Sequence, residues 1–155
     1  MNRFIAILIV LLVSNSVVTA QEEASSLNWL NNLKEAKQFA KKENKPILLY
    51  FTGSDWCSPC KMLKKDFFES SAFVEKSSAF VMVMIDYPRR VDILTEEQLE
   101  YNKGIVAEYN KTKTFPNLMV LNPKGKILDN ISGYSSLRDT SNHFAFINKY
   151  SGKVK

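Results

Sequence analysis

Apolar residues recur at Trp29, Leu30, Leu33, Ala36, Phe39 and Ala40 with lysines and asparagines between them, a spacing of three and four that predicts an amphipathic helix over residues 27–43. Pro46 ends it, because proline cannot continue a helix. ILLYF, residues 47–51, is an unbroken apolar run of strand length, the pattern of a strand covered on both faces. Helical spacing returns in PCKMLKKDFF, residues 59–68, with Met62, Leu63 and Phe67 toward one side and Lys61, Lys64 and Lys65 toward the other. AFVMVMID at 79–86 is a second apolar run and predicts a central strand. The polar stretch that follows opens as a loop and becomes a helix near Thr95, where Thr-Glu-Glu-Gln has the form of a capping box. NLMVLN at 117–122 and KILDNIS at 126–132 flank a Pro-Lys-Gly turn as a hairpin, and LRDTSNHFAFINKY at 137–150 closes the chain as a helix with Phe144 and Ile147 inward.

Helix, strand, helix, strand, helix, strand, strand, helix is the order of an α/β protein whose sheet is flanked by helices on both faces. No internal repeat or low-complexity segment interrupts it.

The first 20 residues follow a different pattern. Arg3 supplies a basic start, residues 4–13 an apolar stretch, and Val18-Thr19-Ala20 a small-residue cleavage site, so residues 1–20 are expected to be a signal peptide cleaved near Ala20. An uncleaved anchor is the alternative, but Ser14, Asn15 and Ser16 break the apolar run short of the roughly 20 residues a spanning helix needs. Residues 21–155 then form one domain, periplasmic or secreted. Nine of the chain's ten phenylalanines, both tryptophans and many branched aliphatics remain in it and suffice for its single core. The net charge of +5, or +4 once Arg3 is removed, is spread over predicted helix faces and predicts no nucleic-acid site. Arg89 and Arg90 are expected in a solvated loop and His143 at the surface or in packing. Asn110-Lys-Thr and Asn130-Ile-Ser match the glycosylation pattern, which would matter only in a eukaryotic secretory host.

Both cysteines of the chain lie in GSDWCSPCK, residues 53–61, between a predicted buried strand and a predicted helix. Cys57 then sits at the helix N-terminus, where free N–H groups favour a thiolate, with Cys60 one turn further in and more covered. Such a pair closes a disulfide with little movement, and an exposed Cys57 attacks a disulfide in another protein before Cys60 resolves the mixed intermediate. Pro59 suits a first helical turn. As a staple the pair is poorly placed, since so short a loop constrains the unfolded chain very little. A zinc site needs about four ligands, and beyond these thiols the chain offers only His143, so zinc would require a dimer or carboxylates. Inert buried thiols leave Trp56 and Pro59 around them unexplained.

DWCSPCK resembles the thioredoxin active site, Trp-Cys-Gly-Pro-Cys-Lys, with Ser58 at the glycine. KTKTFPNLMVLNPKGKI resembles the family's cis-proline loop and hairpin, and ISGY its third active-site loop. YFTGSDWC is similar to the secreted bacterial thioredoxin-like branch, one residue longer between strand and cysteine than thioredoxin. The resemblance runs from about residue 27 to 150 and implies a thioredoxin-like fold with a central mixed β-sheet. It implies Cys57 as nucleophile and Cys60 as resolving thiol, Pro116 as a cis-proline, and a client groove formed by Trp56, Ser58, Pro59, Phe115, Pro116 and Gly133. The function implied is an exported thiol-disulfide oxidoreductase, a monomer without cofactor, acting on client proteins with disulfides or thiols and fed by a membrane-bound electron donor. The alternative is a non-catalytic protein that binds peptides or partners in the groove, its disulfide idle. One departure is mechanistic: the family's buried aspartate and neighbouring lysine fall at Tyr50 and Met82, neither of which can move the proton of the resolving thiol.

Overall fold

The computed structural model describes residues 27–151; the expected signal peptide lies outside them. In chain order the elements are β1 (Trp29–Leu30), α1 (Leu33–Glu43), β2 (Ile47–Thr52), α2 (Ser58–Leu63), a π-helical turn (Lys64–Phe68), α3 (Ser71–Ser77), β3 (Val81–Asp86), α4 (Glu96–Tyr109), β4 (Asn117–Leu121), β5 (Ile127–Ser132) and α5 (Ser141–Asn148). The strands form one mixed sheet in the order β1-β3-β2-β4-β5. Within it β1, β3 and β2 run parallel, while β4 is antiparallel to β2 and β5 to β4.

Every residue of β2 is buried, which accounts for its lack of polar alternation. Its side chains point alternately into two cores. Leu48 and Tyr50 join Leu63, Phe67, Phe68, Phe73, Phe146 and Ile147 beneath α2, α3 and α5. Ile47, Leu49 and Phe51 join Leu33, Ala36, Ala40 and Val106 beneath α1 and α4. Tyr50 therefore lies on the same side of the sheet as the helix that carries Cys60.

The local signals act as their chemistry requires. Asn32 caps α1 by accepting from the amides of Lys34 and Glu35 at 2.9 and 3.2 Å, and Asn44 ends it in the left-handed region at φ 52°. Thr95 accepts from the Gln98 amide at 3.2 Å. The Gln98 side chain does not complete a capping box, and donates instead to Asn31 O and Asn102 Oδ1.

The structure departs from the sequence pattern in three places. Trp29 and Leu30, expected on a helix, pair with Met82 and Val83 as a two-residue strand, and the Asn32 cap starts the helix only at Leu33. The helix over 59–68 widens into a π turn at Lys64, which buries Phe68 beside Phe67 rather than leaving it outward. The short helix α3 was not anticipated; only Phe73 in it is buried, so it carries no periodic signal. In α5 the buried residues are His143, Phe146 and Ile147, with Phe144 half-buried against Phe67.

Candidate functional site

β2 delivers the chain at Thr52 into a loop that reverses over Gly53, whose carbonyl accepts the Cys57 amide at 2.8 Å. A side chain at Gly53 would collide with the indole of Trp56, so that ring lies directly on the turn. Cys57 is the N-cap of α2, and its sulfur accepts the Cys60 amide at 3.2 Å. Ser58 and Pro59 occupy the first two helical positions, where the missing proline N–H costs nothing. Cys57 and Cys60 are joined in a disulfide with their Cα atoms 5.2 Å apart.

Cys57 was expected to be exposed and Cys60 covered, but the residues are 3% and 1% exposed. Capping turns the Cys57 side chain back over the helix start, which leaves little of the residue exposed. Ser58 is exposed and Pro59 half-buried beside it.

Three loops meet at this point. The Phe115–Pro116 peptide bond is cis, and the Phe115 ring packs edge-on to Trp56 with centroids 5.4 Å apart. The carbonyl of Pro116 accepts the Gly133 amide at 2.8 Å; Gly133 has φ +81°, a conformation that favours glycine. The predicted residues Trp56, Phe115, Pro116 and Gly133 are thereby linked into one surface beside the cysteines. Gly133's loop is fixed in turn by Asp66, which accepts from Tyr134 Oη at 2.9 Å and pairs with Arg138. The Arg138 guanidinium, helped by Tyr134, holds the Asp66 carboxyl below the usual carboxylate range.

Several contributors were not legible in the sequence. Asn110, noted only within a glycosylation pattern, is buried and organises the cis-proline loop: its Nδ2 donates to Thr114 O at 2.8 Å, and its Oδ1 accepts from Thr114 N and Asn117 Nδ2. The loop after β3 is tied to the cysteine motif at every step. Ser54 donates twice to Asp86, at 2.8 and 2.6 Å; Trp56 Nε1 donates to Tyr87 O at 2.8 Å; and Asp55 accepts the amides of Arg89 and Arg90 at 3.1 and 3.0 Å. Tyr87 stacks on Phe115, and the Arg89 guanidinium lies 4.6 Å from the Trp56 ring centroid. Arg89 and Arg90 are exposed on a loop, as the sequence suggested, but the Arg89 guanidinium is seated over Trp56, while Arg90 pairs with Asp92.

Behind the cysteines, Tyr50 Oη lies 3.2 Å from Thr52 Oγ1 and 3.4 Å from the Cys60 carbonyl, both within its donor range. Burial pushes its phenol up to about 12, so it stays protonated at any physiological pH. Register sets Met84, not Met82, opposite Tyr50; Met82 lies opposite Leu48. Among the described residues no group of three or more His, Cys, Asp or Glu side chains could hold a metal ion.

A dithiol pair on a helix start beside a cis-proline, on a sheet of this order, is matched by a family model described as Thioredoxin-like over residues 28–123. The chain belongs to the thioredoxin-like family. It is 36% identical over 106 residues to the disulfide bond reductase DsbH of Chlamydia pneumoniae, covering 68% of this chain and 62% of that protein. It is 27% identical over 124 residues to the thiol:disulfide interchange protein DsbD of Campylobacter jejuni, covering 80% of this chain and 20% of that one. The chain thus spans less than two thirds of the length of these curated relatives. A solved DsbH oxidoreductase structure superposes with a TM-score of 0.68 at 30% identity, covering 85% of this chain and 88% of that one. The thioredoxin-like fold and its α/β architecture follow, with helices on both faces of the sheet.

Proposed function

We propose that this chain is an exported thiol-disulfide oxidoreductase that reduces disulfides in client proteins. The observation that carries the reading is the Cys57–Cys60 disulfide at the start of α2, with the Cys60 amide already directed at the Cys57 sulfur. In the reduced protein that same N–H stabilises a Cys57 thiolate. The thiolate attacks one sulfur of a client disulfide, forming a Cys57–client disulfide and releasing the other client sulfur as a thiolate, which takes up a proton. Cys60 loses its proton and attacks the Cys57 sulfur, the second client thiolate leaves, and two electrons have passed from the pair to the client. Tyr50 cannot accept the Cys60 proton, because its phenol is already protonated up to about 12. Solvent or the departing client thiolate takes it.

Phe115, cis-Pro116 and Trp56 form the groove in which an extended client segment lies, with Ser58, Pro59 and Gly133 at its edges. The reducing direction is favoured by Pro59 between the cysteines and by the similarity to DsbH, a disulfide bond reductase. Each cycle leaves the pair oxidised, so an exported protein of this kind draws electrons from a membrane-bound donor. Export itself rests on the pattern of residues 1–20, and the chain acts as a monomer without a cofactor.

Reduction of insulin by dithiothreitol, followed as turbidity, tests the proposal: acceleration that is lost in Cys57→Ser supports it, and a rate equal to that without protein removes it. Equilibration against glutathione buffers then fixes direction, a potential nearer the roughly −270 mV of thioredoxin than the roughly −120 mV of a strong oxidant being expected. The absence of a titratable acid at Tyr50 favours one other reading, a groove that binds partners over an idle disulfide. Partner binding that is indifferent to Cys57→Ser and accompanied by no insulin reduction would select it.

A further inference from the structure

Arg89 is unusual among the basic residues around the cysteines in what holds it. Its amide, with that of Arg90, is bound by Asp55, two residues before Cys57. The preceding Tyr87 carbonyl is bound by the Trp56 indole, and Asp86 by Ser54. The backbone under Arg89 is thus fixed to the active-site motif itself. Its guanidinium rests over the Trp56 ring, 4.6 Å from the centroid. The residue is exposed, and a guanidinium's planar N–H fork is matched to a carboxylate. Among the described residues that fork makes no ion pair. Asp55 feels its charge, but the carboxylate oxygens are engaged by the two backbone amides. Lys61, by contrast, donates to Asp55 O, and Arg90 is paired with Asp92.

We propose that Arg89 is a specificity residue for client disulfides: it pairs with an acidic side chain next to the client cysteine that Cys57 attacks. The inference rests on the oxidoreductase reading. The Trp56 ring touches Phe115 edge-on and carries the Arg89 guanidinium over it, so a client segment crossing the indole brings a neighbouring side chain to the guanidinium. Because loop and ring are ordered beforehand, little freedom is lost when the pair forms. The client class is an extended peptide whose reactive cysteine is flanked by Asp or Glu.

Two synthetic disulfide peptides, identical except for Glu or Lys beside the reactive cysteine, test this with dithiothreitol as reductant and each rate corrected for the uncatalysed reaction. The protein should reduce the Glu peptide roughly two- to five-fold faster at low ionic strength, the range of a solvent-exposed ion pair, and added salt should bring the ratio toward one. Arg89→Gln should bring the ratio to about one and Arg89→Glu should invert it, an inversion that loss of folding cannot produce. A ratio unchanged in both variants overturns the inference, including the case in which both peptides slow equally because Arg89 acts on Cys57 itself. Turnover with a wild-type ratio of one sinks the inference alone; no turnover of either peptide removes the oxidoreductase reading as well.

Discussion

On one side of the Cys57–Cys60 disulfide stand Trp56, Phe115 and Tyr87, all half-buried, with Arg89 exposed above them. On the other lie Tyr50, Thr52, Leu63 and Phe68, none more than 6% exposed. The open side is held together by a hydrogen bond to backbone and by ring edges. The closed side is a cluster of rings in which Phe68 lies 4.6 Å from Tyr50 and 5.1 Å from Trp29, centroid to centroid. The first is the side proposed to meet a client and the second packs the core, so exchange and stability should respond to different residues. On that side Tyr50, whose hydroxyl faces the Cys60 carbonyl, does not titrate near neutrality.

The largest test of this division is the nucleophile. Cys57→Ser should remove insulin reduction entirely while the protein remains folded, as read by circular dichroism. Cys60→Ser should instead accumulate a Cys57–client mixed disulfide visible on non-reducing gels. If both variants behave alike, the pair has no preferred attacking sulfur.

Next comes a substitution on each side. Phe67, fully buried among Phe68, Phe73 and Phe144, should cost about 3–5 kcal/mol when changed to Ala, read from urea denaturation. Trp56→Ala should slow client reduction and lower stability much less than Phe67→Ala. Equal destabilisation by the two would erase the distinction between the sides.

Tyr50→Phe is expected to have a smaller effect. It removes a donor from Thr52 Oγ1 and the Cys60 carbonyl, a loss of about 1 kcal/mol. The pH dependence of thiol alkylation should stay where it is between pH 5 and 9, because a phenol with a pKa of about 12 does not titrate there. A displaced profile would mean that the closed side handles the proton after all.

The smallest effect is at His143, buried between Phe67 and Tyr134. Burial lowers its pKa below the ordinary 6.5. The unfolded chain then takes up a proton that the folded chain refuses, so the stabilisation is present above about pH 6.5 and is lost as pH falls from there toward the folded value. His143→Phe, which keeps a ring in place, should flatten the stability curve between pH 5 and 7, measured by denaturant midpoints.

The buried strands were legible because burial on both faces demands uninterrupted apolar residues, as at 47–51. The helix start at Thr95 was legible as a side chain that satisfies a free amide, whereas the start at Asn32 was missed because the apolar spacing ran back to residue 27. The cysteine pair was legible in kind, since strand, Cys-x-x-Cys and helix in succession leave few other uses for two thiols. Pro116 was different: nothing local distinguishes a cis from a trans proline, and only the family resemblance indicated its isomer. The contacts of Asn110 and of the Arg89 guanidinium were not legible, for a shared reason. Their partners, Thr114 and Asn117 for the one and the Trp56 ring and Asp55 for the other, are set by loop geometry that has no period in the sequence.

By itself the sequence determined the alternating elements, the two-faced core and the reactive pair, because each depends on residue type and on spacing within one segment. Tertiary structure alone decided which side of that pair is open. It brought β3's trailing loop onto Trp56, set Met84 rather than Met82 against Tyr50, and turned the Cys57 sulfur inward. These outcomes depend on register and on loops meeting across the sheet, where residues far apart in the chain satisfy one another's hydrogen bonds. Local pattern carries no record of such meetings.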